Sequence, residues 1–202
     1  NSPEWATVYF AALFAGAIIV PIDYALHENE IENLLKASEP KIFFVDEERY
    51  EYFSSKGKSK AKPAVYSLSP KHKDTYVYGL KTDKAAKITP AEENDTAAIL
   101  FTSGTTGNPK GVMLSHKNLV SDCYIAQTNL EIFETDVFYA LLPIHHSYTM
   151  QAVFIESMSV GAELVFGKSM AVTRMLRELR EGKITMLLGV PLLFNKLLAG
   201  IL

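Results

Sequence analysis

Apolar residues recur along this chain with two different spacings. A helical spacing of about 3.6 residues predicts helices over residues 3–15, 27–38, 116–130, 148–160 and 171–181, with a last helix opening at Pro191. Short apolar runs between these helices predict strands over residues 18–20, 41–45, 96–101, 111–114, 136–142, 163–166 and 184–188. This alternation is typical of an α/β fold in which helices cover both faces of a largely parallel sheet.

The first predicted helix and strand lie in a stretch, residues 5–22, that carries no charged side chain. A bilayer-spanning helix needs about 20 apolar residues, so the stretch falls near the lower limit of that length. The pair Ala15-Gly16 interrupts it, Pro21 closes it, and residues 18–20 are β-branched. We therefore predict a buried helix followed by a strand and no membrane span, while peripheral contact with a membrane stays open.

Between residues 54 and 90 the apolar pattern weakens into an irregular, lysine-rich excursion with one strand predicted at 64–68. Scattered lysine, serine and proline residues are typical of a solvated surface segment, an interpretation that we prefer to an anion-binding site. Regular alternation of strands and helices returns at Asp95. We therefore expect residues 1–202 to form one partial domain in which this excursion precedes the chemically informative region, residues 95–202.

Composition narrows the class of protein. The 202 residues are 48% hydrophobic, enough for a sizeable core, and 20 basic residues against 23 acidic ones give a net charge of −3. This balance argues against a nucleic-acid-binding protein, which normally has a basic excess. Because Cys123 is the single cysteine, an internal disulfide is excluded and a reducing compartment such as the cytoplasm is expected. We interpret Cys123 as a structural thiol rather than a nucleophile.

One loop contains the parts of a phosphate cradle: Thr102-Ser103-Gly104-Thr105-Thr106-Gly107-Asn108-Pro109-Lys110-Gly111. Its hydroxyl groups can donate to phosphate oxygens, its glycines let successive backbone N–H groups turn inward, and Lys110 adds a positive charge. Charge-assisted hydrogen bonds contribute about 1.5–3 kcal/mol each, so a few of them could hold a nucleotide. The spacing is not that of a Walker A loop, because Pro109 precedes the lysine and Gly111 follows it. From composition alone, a solvent-exposed turn stays an alternative.

The string from Ile99 to Lys110, continued by Gly111-Val112-Met113-Leu114-Ser115-His116, closely resembles the AMP-binding signature of the adenylate-forming synthetases. This family includes acyl-CoA ligases, luciferases and the adenylation domains of peptide synthetases. The match is long and specific, so it favours the phosphate loop over the exposed turn.

Further segments resemble the same family in the same order along the chain. Its early helix and strand are similar to Asn1-Ser2-Pro3-Glu4-Trp5, Ala15-Gly16-Ala17 and Val20-Pro21. The motif that follows its phosphate loop is similar to Leu142-Pro143-Ile144-His145-His146. The histidine pair, together with Gly189-Val190-Pro191-Leu192-Leu193, most resembles long-chain fatty-acid–CoA ligases.

The resemblance implies the large N-terminal domain of an acyl-CoA synthetase-like fold, in a ligase that activates a carboxylic acid as an acyl-adenylate. It implies ATP, the acid and CoA as small-molecule substrates and Mg²⁺ as cofactor. Phosphate contacts would come from Thr102, Ser103, Gly104, Thr105, Thr106, Gly107 and Lys110. Thr102 would ligate Mg²⁺, and the catalytic residues would be Lys110 and His146. We favour His146 because the family often has an aromatic residue where His145 stands.

Other interpretations of the histidine pair and of the whole chain stay open. The pair could hydrogen-bond a loop, although further ligands at a zinc spacing are not evident. Downstream motifs for adenine, ribose and acidic metal contacts do not occur before Leu202, and neither does the C-terminal domain with its catalytic lysine. The chain begins at Asn1 without an initiator methionine, so we expect part of a longer protein, inactive by itself. The alternatives are an amino-acid-activating adenylation domain and a non-catalytic nucleotide-binding module.

Overall fold

The computed structural model describes residues 1–55, 63–82, 85–102 and 109–201. The chain divides into two compact units. The N-terminal unit comprises Glu4–Pro90 and Phe101–Val112, and the C-terminal unit comprises Asn1–Pro3, Ala91–Leu100 and Met113–Leu202. Each unit has its own parallel strand pair and its own apolar cluster.

The elements of the N-terminal unit alternate between helix and strand. In chain order they are most of helix α1 (Pro3–Phe14), α2 (Glu28–Ser38), β1 (Ile42–Val45), α3 (Glu47–Ser55), β2 (Ala64–Ser67) and a 3₁₀ turn (Val77–Gly79). Strands β1 and β2 are parallel, and Val45 lies opposite Ser67. Helix α2 begins after His27, whose backbone N–H donates to the Glu30 carboxylate at 2.9 Å, so the capping chemistry is local.

The apolar cluster of this unit joins its helices to its strand pair. Ile31 of α2, Val45 of β1 and Phe53 of α3 are all buried and pack together. The ring of Phe43 meets that of Phe53 edge-on, with centroids 5.2 Å apart. Parallel strands need apolar cover on their faces, which explains why helices flank so short a pair.

Strands β3 (Thr96–Thr102) and β4 (Lys110–Ser115) pair with each other, and each contributes residues to both units. Helix α4 (His116–Asn129) follows β4 directly. The Asn118 backbone N–H donates to the Ser115 hydroxyl at 3.2 Å, and the Ser115 backbone N–H donates to the Asn118 side chain at 2.9 Å. This reciprocal cap explains why the helix begins at the residue that the sequence predicts.

The C-terminal unit is built on a second parallel pair, β5 (Val137–Ala140) and β6 (Glu163–Phe166), in which Ala140 lies opposite Phe166. Met186 adds a single parallel bridge to Phe138. The strand β5 leads into a helical run of α5 (Ser147–Thr149), a π-helix (Met150–Ile155) and α6 (Glu156–Val160). Helices α7 (Val172–Glu181) and α8 (Pro191–Ile201) complete the unit.

The core of the C-terminal unit centres on Tyr139, Met175 and Leu193, which are buried and pack together. Burial of one large apolar side chain contributes about 1.5–3 kcal/mol, so this cluster stabilises the strand pair against α7 and α8. The Tyr139 hydroxyl keeps a partner inside the core, because it donates to the Glu178 carboxylate at 2.6 Å. Burial, followed by this hydrogen bond, raises the pKa of Tyr139 above its usual range.

The α/β class is confirmed, and the strands predicted at 41–45, 64–68 and 163–166 are present. Within the described ranges the strands form three two-stranded sheets rather than one large sheet. The strand predicted at 18–20 is wrong, because only Ile19 forms a bridge, and the one predicted at 184–188 is reduced to the bridge at Met186. β-branched residues favour extended backbone, but extended backbone becomes a strand only where a neighbour pairs with it.

The sequence pattern did not predict two helical features of the structure. Helix α3 has Tyr50 and Phe53 at helical spacing, but four of its nine residues are charged, and it ends where the lysine-rich excursion begins. The helix predicted over 148–160 contains the π-helical segment at its centre. Among the residues that the structure describes, no helix has the length and apolar character to cross a bilayer.

Candidate functional site

The predicted phosphate loop is framed by the paired strands β3 and β4. Thr102 ends β3, Lys110 begins β4, and both side chains are exposed. The Thr102 hydroxyl donates to the Lys110 backbone carbonyl at 3.5 Å, a weak contact that brings the two ends of the loop together. Ser103, Gly104, Thr105, Thr106 and Gly107, the other predicted phosphate ligands, lie outside the described residues. The structure thus brings together Thr102 and Lys110 and leaves their exposed side chains accessible.

The predicted histidines lie in the C-terminal unit, on the connection from β5 to α5. His145 is half-buried, whereas His146 is exposed and precedes the first residue of α5. Their ring centroids are 4.1 Å apart, with the planes tilted by 52°. Of the two imidazoles, His146 is therefore the one more open to a ligand.

The backbone around His146 is fixed by hydrogen bonds to the start of the helix. The His146 N–H donates to the Pro143 carbonyl at 3.3 Å, and the Met150 N–H donates to the His146 carbonyl at 2.8 Å. The Thr149 hydroxyl also donates to the Pro143 carbonyl. These contacts satisfy carbonyls that a strand-to-helix connection would otherwise expose.

Asn1, for which the sequence suggests no role, binds the same connection. Its side-chain amide donates to the carbonyls of Ala140 and Leu142 and accepts from the Ile144 N–H. The Gly167 N–H donates to the Ala140 carbonyl as well, at 3.1 Å. In the sequence, Asn1 is notable only as the first residue of a segment that resembles the family. This position does not indicate which residues its side chain binds.

Polar side chains join α4 to the helical run that follows the histidines. Glu156 is 2% exposed and accepts from the Gln127 amide at 2.9 Å, while the Gln151 amide donates to the Leu119 carbonyl at 2.8 Å. Gln151 also lies 3.1 Å from the Cys123 sulfur. Burial, followed by a hydrogen bond with Glu156, raises the pKa of the Cys123 thiol to about 12. A buried thiol with so high a pKa is a poor nucleophile, which supports its interpretation as structural.

An open groove of about 470 Å³ lies in the C-terminal unit between α4 and the helical run. Its apolar lining includes Leu119 and Met150, and its polar lining includes Gln151 and the Asp122 carboxylate. An exposed carboxylate disfavours a polyphosphate, so we do not place the phosphates there.

The predicted site residues divide between the two units. Thr102 and Lys110 belong to the N-terminal unit, and His145 and His146 belong to the C-terminal unit. Each group is framed by the end of a strand, the usual position for ligand-binding residues in α/β proteins. A hydroxyl- and glycine-rich segment bracketed by paired strands, in such a fold, is typical of nucleotide-binding domains.

A model of the AMP-binding enzyme family matches residues 1–201. The chain therefore belongs to the AMP-binding enzymes, the adenylate-forming superfamily whose signature its phosphate loop resembles. Because the match extends over nearly the whole chain, it does not depend on the loop alone.

Curated relatives include 4-coumarate–CoA ligase CCL1 of Humulus lupulus, 28% identical over 205 residues, and long-chain-fatty-acid–CoA ligase 1 of Cavia porcellus, 28% identical over 222 residues. These matches cover 95% and 98% of this chain but only 36% and 31% of the relatives. The structure of ATP-bound MatB from Rhodopseudomonas palustris is similar with a TM-score of 0.84 and 27% identity, covering 98% of this chain and 39% of that one. The chain thus spans well under half the length of these relatives, and it shares the fold of the corresponding region.

Proposed function

We propose that the protein containing this chain is a cytoplasmic acid–thiol ligase that activates a carboxylic acid with ATP. The acid carboxylate attacks the α-phosphate, which gives an acyl-adenylate and releases pyrophosphate. The thiol of CoA then displaces AMP from the acyl carbon, which gives the thioester. The observation that carries this proposal is the AMP-binding signature, with its ends brought together at Thr102 and Lys110 by the β3–β4 pair.

The chemical obstacle in the first step is electrostatic, because an anionic carboxylate must approach an anionic phosphate. Fixed donors and cations lower this repulsion without reorganising during the reaction. Lys110 supplies a compact positive charge at one end of the loop, and the hydroxyls and amides of 102–107 supply donors to the departing phosphates. Lys110 therefore assists the release of pyrophosphate.

Thr102 is the residue that we propose for a magnesium ion bound together with ATP. Mg²⁺ prefers oxygen ligands, and the Thr102 hydroxyl is an exposed oxygen whose hydrogen bond to Lys110 is long. Thr102 would hold the ion, which supplies further neutralisation of the phosphate charge when bound. His146, exposed at the start of α5, would border the acid carboxylate and orient it.

We propose a long-chain fatty acid as the substrate. The histidine pair and the segment Gly189–Leu193 resemble that subfamily most closely. A long-chain-fatty-acid–CoA ligase stands among the relatives, beside a 4-coumarate–CoA ligase. The two relatives name different acids, so the acid has to be identified by assay.

The experiment is acid-dependent exchange of pyrophosphate into ATP by the complete protein, with long-chain, short-chain, aromatic and amino acids supplied separately. We expect exchange with long-chain fatty acids. Exchange driven by an amino acid instead would identify an amino-acid-activating domain. A folded protein that binds ATP and exchanges with none of these acids would be a non-catalytic nucleotide-binding module.

The matched variants are Lys110→Ala and Lys117→Ala. Loss of the Lys110 charge should lower the exchange rate about 100-fold, the size expected for one preorganised electrostatic contact, with the melting temperature unchanged. Lys117 is exposed on α4 and pairs with Glu93 at 3.2 Å, so its replacement should leave the rate near wild type. Equal rates for the two variants would remove Lys110 from the mechanism.

A further inference from the structure

The side chain of Asn1 makes three hydrogen bonds to one short backbone segment that lies 139 to 143 positions away in sequence. Its amide nitrogen Nδ2 donates to the Ala140 carbonyl at 2.9 Å and to the Leu142 carbonyl at 2.8 Å. Its oxygen Oδ1 accepts from the Ile144 N–H at 3.0 Å. Both hydrogens of Nδ2 and one acceptor site of the oxygen are therefore used on this segment.

The segment needs such a partner because it leaves the strand ladder. The register of β5 with β6 ends at Ala140 opposite Phe166, so the backbone of Leu142 and Ile144 lies beyond the parallel pair. Ile144 is 1% exposed, so its backbone N–H needs a partner within the protein, whereas the contact of Asn1 with the Leu142 carbonyl is exposed. Buried backbone groups are almost always hydrogen-bonded, and here a side-chain amide substitutes for a neighbouring strand.

The chemistry of asparagine suits this position better than that of its isostere. A planar amide offers two N–H donors on one side and an oxygen on the other, which matches two carbonyls and one N–H. An aspartate would keep the acceptor for Ile144 but would direct an oxygen at the carbonyls of Ala140 and Leu142. The pattern of partners therefore requires the amide.

We propose that Asn1 is a positioning residue that holds the turn presenting His145 and His146. Ile144, which Asn1 binds, directly precedes this pair. At the other end of the turn, the His146 N–H and the Thr149 hydroxyl bind the Pro143 carbonyl. Asn1 thus anchors the beginning of the turn while helix α5 anchors its end. The inference deepens the proposed function, since the catalytic value of the anchor rests on the role of His146.

The first measurement is amide hydrogen exchange at Ile144 in the complete protein, compared among wild type, Asn1→Ala and Asn129→Ala. Asn129 is a matched control, because its amide binds the Ile125 carbonyl of its own helix at 2.7 Å. In Asn1→Ala the Ile144 amide loses its acceptor and should exchange about tenfold faster. The Tyr139 amide, which donates to the Met186 carbonyl within the sheet, should keep its rate in all three proteins.

The second measurement is acid-dependent ATP–pyrophosphate exchange by the same proteins and by Asn1→Asp. Displacement of a substrate-orienting group by about 1 Å can cost about 100-fold, so Asn1→Ala should lose about that factor in kcat/KM for the acid. The KM for ATP should not change. Asn1→Asp should keep the Ile144 amide protected, yet lose activity toward the acid because both donations to the carbonyls are gone.

The outcomes separate this inference from the proposed function. Unchanged Ile144 exchange in Asn1→Ala, or a kcat/KM for the acid equal to that of Asn129→Ala, would overturn the positioning role. A loss of activity that fell equally on the acid and ATP would overturn it too, because it would report a general structural defect. If wild type used no acid at all, the proposed function would fail, while faster Ile144 exchange would still establish Asn1 as the anchor of the turn.

Discussion

The two parallel strand pairs in the described part of the chain differ at the points where their first strands end. Strand β1 ends at Val45, and α3 begins two positions later, at Glu47. Strand β5 ends at Ala140, but α5 begins only at Ser147, so residues 141–146 form a longer connection. The exit from β1 is the single residue 46, which leads directly into α3. The exit from β5, residues 141–146, contains the histidine pair.

The hydrogen-bond partners that stabilise the two exits also differ, because one is local and the other is distant in sequence. Asp46 caps α3 locally, since the Arg49 N–H donates to its carboxylate at 3.0 Å and the Arg49 guanidinium donates at 2.9 Å. The exit from β5 is bound instead by Asn1, far away in sequence. The short exit is thus satisfied by its neighbours, whereas the longer exit, which contains the histidine pair, uses a remote partner. The comparison predicts catalytic consequences at the second exit and purely structural ones at the first.

The largest expected effect is that of His146→Ala on acid use. If His146 orients the carboxylate, its loss should lower kcat/KM for the acid about 100-fold, with folding intact. His145 is half-buried, so His145→Ala should lower it less, by about tenfold. Steady-state kinetics with the acid varied at saturating ATP measures both. The reverse order of the two variants would show that the family motif is aligned wrongly at this pair.

How much of this structure could be predicted from the sequence depends on whether the contacting residues are close together in the chain. The start of helix α4 at residue 116, the strands at 41–45 and 163–166, and the phosphate-loop signature rest on neighbouring residues, and the sequence predicts them. The α/β class follows from their alternation. His146 is the more exposed of the two adjacent histidines, and its catalytic role stays a prediction.

What the sequence could not predict depends on long-range contacts. Ile19 and Met186 lie in β-branched or apolar runs, but pairing partners limit each to a single bridge. Asn1 carries no pattern that points to Ala140, because hydrogen bonds over such a separation leave no local periodicity. The π-helical segment Met150–Ile155 is apolar apart from Gln151, so its apolar spacing predicts a helix without distinguishing a π-helix from an α-helix.

An intermediate effect is expected from Asp46→Ala at the first exit. Loss of the cap should reduce the free energy of unfolding by about 1 kcal/mol, because the first-turn N–H of Arg49 loses its acceptor. The kinetic constants of the folded protein should stay at wild-type values. Urea unfolding, followed by circular dichroism, measures the first quantity, and the pyrophosphate-exchange assay measures the second.

The control for this variant is Asp46→Asn, which keeps an oxygen for the Arg49 N–H but removes the charge that faces its guanidinium. It should retain most of the stability, since it keeps the acceptor for the Arg49 N–H and the Asp46 side chain is 41% exposed, so solvent screens the ion pair. A stability loss as large as that of Asp46→Ala would assign the effect to the ion pair. A drop in kcat/KM for Asp46→Ala would contradict the comparison itself.

The smallest expected effect is a difference in acid sensitivity between the carboxylates that support the two pairs. The Tyr139 hydroxyl, followed by the Arg174 guanidinium, lowers the pKa of Glu178, and Lys71 followed by Ser69 lowers the pKa of Glu47. A carboxyl whose pKa is lower in the folded state stabilises the fold above its unfolded pKa of about 4.3, and this contribution is lost as the pH falls through the folded value. The Glu178 side chain is 16% exposed and that of Glu47 is 41% exposed, so solvent screens the second contact more. Between pH 6 and pH 3, the dependence of the urea midpoint on pH should therefore decrease more in Glu178→Gln than in Glu47→Gln, relative to wild type. An equal decrease in both variants would show that burial does not distinguish the two pairs.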